Sequence, residues 1–128
     1  MRILLDTHAL LWWMTGDAKL PERCAQWIED RQNDVAVSPV SAYEIRFKAT
    51  KGLLPGGDAL AADIGAIAVR AGFRVLDLSL EHALAAGVLP LPHRDPFDRL
   101  LAAQAIVEGY EILSADEAFD VLGAQRAW

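Results

Sequence analysis

The stretch Asp34–Gly52, "DVAVSPVSAYEIRFKATKG", holds one complete strand-to-helix unit. Val35, Ala36 and Val37 form a short apolar run, as in a strand buried on both faces. Ser38 then suits a helix N-cap, because its hydroxyl can accept a free backbone N–H of the first turn. Pro39 follows at the first helical position, where its missing N–H costs nothing and its fixed φ is already helical. Gly52 is the stop. The same grammar recurs on both sides. "RILL" (2–5) ends at Asp6 and runs into "THALLWWMTG" (7–16), with Thr7 a candidate N-cap and Gly16 a stop. "LPERCAQWIEDRQ" (20–32) reads as a helix with Pro21 at its first position and Cys24, Trp27 and Ile28 on one face. After the loop "LLPGGD" (53–58), "ALAADIGAIAVRAG" (59–72) is a helix ended by Gly72. "FRVLDLS" (73–79) reads as the third strand, and Ser79 caps "LEHALAAGVL". "PLPHRDP" (90–96) is a Pro-rich loop before a strong helix, "PFDRLLAAQAIVEG" (96–109). "YEILS" (110–114) is the fourth strand, "ADEAFDVLG" a short helix, and "QRAW" a short final strand.

Strands thus alternate with helices along the whole chain. The expected fold is α/β: a single domain over 1–128 with a central, mostly parallel sheet of four to five strands and helices on both faces. With 128 residues, 53% of them hydrophobic, the chain can bury a real core, which argues against disorder. The formal net charge of −6, from 12 basic and 18 acidic residues, argues against non-specific coating of nucleic acid. It leaves room for a nuclease, whose metal-binding acids add negative charge themselves. The single cysteine, Cys24, rules out an internal disulfide or a cysteine-rich zinc site. No apolar run reaches membrane-spanning length, so no membrane association is expected. Asp6 and His8 interrupt the apolar N-terminal stretch and no cleavage site follows, so a cytoplasmic location is expected.

Ligands of open α/β sheets bind outside the carboxyl ends of the strands. Four acids are candidates for that edge: Asp6 after the first strand, Glu44 in the second turn of the helix after the second strand, Asp98 in the first turn of the helix before the fourth strand, and Asp116 after the fourth strand. Clustered carboxylates repel, and a hard divalent cation removes that cost. An all-carboxylate site favours Mg²⁺, with Mn²⁺ as a substitute, over Zn²⁺. Such an ion can activate water and stabilise the departing oxygen of a phosphodiester. Each acid also has a purely structural reading. Asp6 can cap the first helix, Glu44 can close a capping box from Ser41 or pair with Lys48, Asp98 can favour the dipole at its helix start, and "SADE" (114–117) matches a capping box around Asp116. In "RDPFDR" (94–99), Asp95 precedes Pro96 and reads as the N-cap, which leaves Asp98, at the third helical position, for the metal.

Four segments, in order and at fitting spacing, carry a resemblance: "ILLDTHALLWW" (3–13), "SPVSAYEIRFKATKG" (38–52), "HRDPFDRLLAAQA" (93–105) and "ILSADEAF" (112–119). Together they resemble a PIN domain, specifically a VapC-type ribonuclease toxin of a type II toxin–antitoxin system. The "HRDPFDR" form resembles the subgroup paired with Phd/YefM-like antitoxins. The resemblance implies Mg²⁺-dependent cleavage of single-stranded or looped RNA by metal-activated water, held in check by a cognate antitoxin. It places the catalytic acids on Asp6, Glu44, Asp98 and Asp116, with Asp6 and Asp98 the main metal ligands. Glu44, Asp116 and, through water, Asp95 would be secondary. Thr7 and Ser114 fall where the family often has a hydroxyl near the metal. A homodimer and a toxin–antitoxin hetero-oligomer are further implications.

RNA also needs positive charge near the acids. Arg46, Lys48 and Lys51, on or just after the Glu44 helix, and Arg94 and Arg99, beside Asp95 and Asp98, are candidate phosphate contacts; ordinary surface charge is the competing reading. His8 and His93 adjoin the motifs and are read as structural or substrate-orienting, whereas His82 is read as a helix-surface residue. Trp12 and Trp13 are adjacent on one helix and cannot both point inward, so one is expected to face a partner unless both join the core. Rival classes fit less well. A phosphotransfer receiver needs an acidic pair after the first strand and a late lysine, yet no lysine follows Lys51. A haloacid-dehalogenase-like phosphatase needs a second Asp where His8 stands. The alternative that survives is a non-catalytic toxin–antitoxin binding module in which the acids are only helix caps.

Overall fold

The computed structural model describes residues 1–90 and 95–128. Along the chain run β1 (Arg2–Leu5), α1 (Thr7–Thr15), α2 (Glu22–Glu29), β2 (Asp34–Val37), α3 (Pro39–Thr50), α4 (Gly57–Ala71) and β3 (Arg74–Val75). There follow α5 (Leu80–Gly87), α6 (Pro96–Glu108), β4 (Glu111–Leu113), α7 (Ala118–Val121) and β5 (Arg126–Ala127). The five strands form one sheet in the order β3-β2-β1-β4-β5, and every pairing is parallel. The expected α/β fold is therefore found, at the upper end of the strand count and without an antiparallel member.

The apolar strands dictate the layering. In β1, Ile3 and Leu5 point to one side of the sheet and Leu4 to the other, as the two-residue period of a strand requires. Ile3 and Leu5 join Val35 and Val37 beneath Ala9 and Leu10 of α1, Cys24 and Ile28 of α2, and Ile64 and Ala68 of α4. Leu4 joins Ala36 and Ile112 beneath Leu101, Ala102 and Ala105 of α6, with Phe119 and Leu122 at the far end. Because Ile3, Leu4 and Leu5 of β1 are fully buried, truncating Leu4 to Ala would cost about 2–5 kcal/mol. Gly57 marks where α4 meets α3: a Cβ there would stand 2.9 Å from the Ala49 Cβ.

Several local readings need correction. Asp6, not Thr7, is the N-cap of α1; its carboxylate accepts the Ala9 N–H. Pro21 occupies the N-cap of α2 rather than its first helical position. The helix expected from residue 59 starts at Gly57. The third strand is two residues long instead of seven, because its partner β2 ends at Val37, whose carbonyl still accepts the Leu76 N–H, and Ser38 then caps α3. Buried Gln104 of α6 bonds the backbone beyond it. The Gln104 amide donates to the Leu76 carbonyl at 2.8 Å and accepts from the Ser38 hydroxyl at 2.5 Å. His82 is buried, not a surface residue: its Nδ1 accepts the Ser79 N–H at 2.9 Å and its Nε2 meets Glu108 at 2.8 Å. Trp12 and Trp13 are both half-buried and covered by this chain's own rings, Trp12 by Trp128 and Trp13 by Phe73. Gly16 and Gly72 stop α1 and α4 in the left-handed region as expected, and Ser38, Ser79 and Asp95 are the caps read from the sequence. Among the described residues no helix is long and apolar enough to cross a membrane.

Candidate functional site

Parallel strands carry their carboxyl ends to the same edge of the sheet, so the residues after β1, β2 and β4 are neighbours in space. These are Asp6, Ser38 and Ser114, and all three are buried. Asp6 is held through both of its oxygens. Oδ1 accepts the Ala9 N–H at 2.6 Å, and Oδ2 accepts the Ser114 hydroxyl in a short hydrogen bond. The Ser114 oxygen in turn accepts the Asp116 N–H at 3.0 Å, so one serine ties the two aspartate segments together. Asp116 itself is exposed, and its Oδ1 accepts the Ala118 N–H at 2.9 Å. This turn replaces the capping box expected of "SADE": Glu117 holds the N-cap position of α7 without a side-chain bond.

Asp6 and Asp116 share a cleft of about 230 Å³ whose other walls are His8, Trp12 and Ala115. Burial pushes the Asp6 carboxyl above the ordinary aspartate range. The Ser114 hydroxyl and the Ala9 N–H oppose that shift, and the negative charge of Glu44 adds a little to it. Glu44 thus lies within electrostatic reach of Asp6. It is only 3% exposed, and both of its oxygens are occupied. The Thr7 hydroxyl donates to Oε1 at 2.7 Å, and the Lys48 ammonium meets Oε2 at 2.6 Å. Of the two structural readings of Glu44, the pairing with Lys48 is observed. The capping box from Ser41 is not, since α3 already begins at Pro39, and Ser41 lies 3.1 Å from the Thr7 hydroxyl instead.

Asp95 and Asp98 divide as their spacing suggests. The Asp95 carboxylate accepts the N–H groups of Phe97 and Asp98 at 2.9 and 3.4 Å. Asp98 is the third residue of α6 and half-buried. Its neighbour Phe97 packs against Tyr43 and Phe47, with ring centroids 5.7 and 6.3 Å apart, and so sets the start of α6 beside the Glu44 helix. Among the described residues, no three Asp, Glu, His or Cys side chains stand close enough to hold one ion together. The acids come as the Asp6–Asp116 cleft, the Glu44 pair with Lys48, and Asp98 on α6. Apart from the His8 imidazole at the cleft wall, the donors are carboxylate and hydroxyl oxygens, which in kind suit Mg²⁺ or Mn²⁺.

The basic candidates have partners of their own. Arg46 pairs with Asp58 at 3.2 Å in an exposed contact, and Lys51 stands 4.8 Å over the Phe47 ring. The Arg99 guanidinium donates to the Ala86, Leu89 and Pro90 carbonyls at 2.8–2.9 Å and so closes the end of α5 against α6. His93 and Arg94 lie outside the described residues. Sequence reasoning passed over Gln104, because an uncharged polar residue within a helix looks like any solvated position until its burial is known.

The PIN domain family profile matches residues 3–125. Ribonuclease VapC22 of Mycobacterium tuberculosis is 27% identical over 117 residues, which cover 89% of this chain and 86% of that one. Among solved structures, VapBC2 from Rickettsia felis bound to a promoter DNA fragment superposes with a TM-score of 0.71 at 15% identity, covering 98% of this chain and 96% of that one. VapBC-1 from nontypeable Haemophilus influenzae gives 0.66 at 19% identity, covering 99% and 97%. At such identities the superpositions speak for the fold alone. The profile runs from β1 almost to β5, through every junction described above, and the chain accordingly belongs to the PIN domain family.

Proposed function

We propose that this protein is a VapC-type toxin: a Mg²⁺-dependent ribonuclease that hydrolyses RNA phosphodiester bonds and is neutralised by a cognate antitoxin. The observation that carries the reading is the buried Asp6 carboxylate, held by Ala9 and Ser114 at the mouth of a cleft shared with Asp116. The α1 cap and the Ser114 bond hold this carboxylate, and a cation in the cleft would offset the remaining cost of burying its charge. The 27% identity to a protein named a ribonuclease supports the same class of chemistry.

In this reading Asp6 and Asp98 bind the metal, with Glu44, Asp116 and, through water, Asp95 in support. When bound, Mg²⁺ supplies an activated water and charge compensation for the departing oxygen. The chain's own residues prepare the place. Ala9 and Ser114 fix the Asp6 carboxylate, the Ser114 oxygen sets the Asp116 backbone, and Thr7 and Lys48 fix Glu44. Arg46, Arg94 and Ser114 are the proposed substrate contacts together with Thr7 and Lys48. Arg99 has a structural task as well, holding three carbonyls. The antitoxin is proposed to be Phd/YefM-like, and the toxin to form a homodimer within a toxin–antitoxin hetero-oligomer in the cytoplasm. The test is to map cleaved ends in total RNA with purified protein and Mg²⁺. Discrete new ends should appear and vanish with EDTA or with Asp6→Asn. Identical ends from the Asp6→Asn protein would overturn the assignment.

A further inference from the structure

Two buried carboxylates, Asp6 and Glu44, lie within electrostatic reach of each other at the carboxyl edge of the sheet, and they are compensated differently. Asp6 is held by neutral groups, the Ala9 N–H and the Ser114 hydroxyl, so its charge is fixed in place but not cancelled. Glu44 meets a full cation. The Lys48 ammonium stands 2.6 Å from Oε2, one turn further along α3. The Glu44 side chain is 4% exposed, so this is no solvent-screened surface pair of the kind that contributes little. The other oxygen, Oε1, accepts the Thr7 hydroxyl at 2.7 Å, and the buried Ser41 hydroxyl backs Thr7 at 3.1 Å. The neighbouring cations of α3 turn elsewhere, Arg46 to Asp58 and Lys51 to the Phe47 ring. Glu44 thus has its counter-ion from its own helix, while Asp6 has none among its hydrogen-bond partners.

We propose that the Lys48 ammonium takes the place at Glu44 that a second divalent ion would take in a two-metal nuclease, so that this site works with one ion. This rests on the Mg²⁺-dependent ribonuclease reading above. In two-metal sites the ions cancel carboxylate charge and clamp the phosphate between them. Lys48 does the first at Glu44. An ammonium has three N–H donors and Glu44 takes one, so Lys48 keeps donors for a phosphate oxygen. A divalent ion at Glu44 would have to displace the ammonium or stand against it, and like charges out of bulk water repel strongly. Lys48 is a positioning residue for Glu44: with Thr7 it fixes the carboxylate and holds the metal count at one.

The test counts bound Mn²⁺ by calorimetry, without substrate. Wild type should bind one ion per chain and Asp6→Asn should lose it. Lys48→Met removes the ammonium and leaves the buried Glu44 charge bare. In EDTA its Tm should fall by about 5 °C, because breaking a buried pair leaves an uncompensated charge. With Mn²⁺ it should bind two ions per chain and recover that loss. The double variant Lys48→Met/Glu44→Gln should return to one ion. Glu44→Gln alone is isosteric and buries no charge, and it should also keep one ion, which decides the matter even where Lys48→Met fails to fold. One ion in Lys48→Met, or two in wild type, would overturn the proposal and leave the ribonuclease reading standing. Loss of the wild-type ion in Glu44→Gln would overturn it as well, since Glu44 would then be a direct ligand. No ion in wild type at millimolar Mn²⁺ would remove the metal-dependent reading itself, and this inference with it.

Discussion

Replacing Asp6 with Asn should make the metal-free protein more stable while removing its response to Mg²⁺. Asp6 is 5% exposed, and burial raises its proton affinity in the folded state above the ordinary value near 3.8. The sign follows from linkage. A carboxyl that holds its proton more tightly when folded favours the native state below its unfolded pKa, and that contribution is lost as pH rises through the raised folded value. At neutral pH the fold therefore carries the cost of a buried charge that only the Ser114 hydroxyl and the Ala9 N–H offset. Asn keeps a carbonyl oxygen for Ala9 and offers an N–H₂ to the Ser114 oxygen, so geometry is retained while the charge goes. The expected gain is about 1 kcal/mol, or about 4 °C in Tm for a domain of this size. It should shrink as the pH falls towards the ordinary carboxyl range. Mg²⁺ should then act in the opposite sense. Binding to wild type at a hundred times Kd adds about 2.7 kcal/mol, and Asp6→Asn should gain far less. Thermal melts at neutral and mildly acidic pH, each with MgCl₂ or EDTA, read all four terms. A variant less stable than wild type in EDTA at neutral pH, or equal Mg²⁺ shifts in both proteins, would refute the reasoning.

Asp95→Asn should keep most of the α6 cap, because the Asn oxygen still accepts the Phe97 N–H, and so should change Tm and Mn²⁺ affinity little. Asp98→Asn should lose Mn²⁺ binding by calorimetry together with cleavage. Arg99→Ala should cost about 2–3 kcal/mol in urea unfolding, since carbonyls of residues 86, 89 and 90 lose a charged donor. Gln104→Leu should cost about 2 kcal/mol by leaving the Leu76 carbonyl and the Ser38 hydroxyl short of a partner. The isosteric Gln104→Glu should cost no less, because its carboxyl lacks the donor that Leu76 needs.

The elements that sequence located best are those whose cause is local. The Ser38–Pro39 start of α3 and the Asp95–Pro96 start of α6 each combine an acceptor with a ring-fixed φ. Gly16 and Gly72 occupy φ values of 64° and 74° that other residues avoid. The larger misreadings have causes outside the segment being read. β3 stops early because its partner β2 turns into α3 after Val37. His82 is buried because Glu108 of α6 meets its Nε2, in addition to the local bond from Ser79 to its Nδ1, and nothing in the segment 80–87 announces that partner. Periodicity records which face is apolar; it does not record which polar side chain has found a buried partner.

The acids show the same division in a sharper form. Capping and metal binding were posed as rival explanations for Asp6, yet the geometry makes them compatible. The cap uses Oδ1 and the Ser114 bond uses Oδ2, and each carboxylate oxygen has more than one lone pair to give. A helix N-terminus is positive, so it holds an anionic side chain at low cost without neutralising it. A strand-to-helix junction is therefore a place where a parallel sheet can station a carboxylate rigidly and leave its charge for other use. That is why every acid here has a credible structural reading, and why such a reading weighs little against a functional one. What separates them is burial beside a cleft. Asp95 is exposed and caps α6 in open solvent, whereas Asp6 caps α1 at the wall of a cavity, where its ionised form is disfavoured until a cation compensates it.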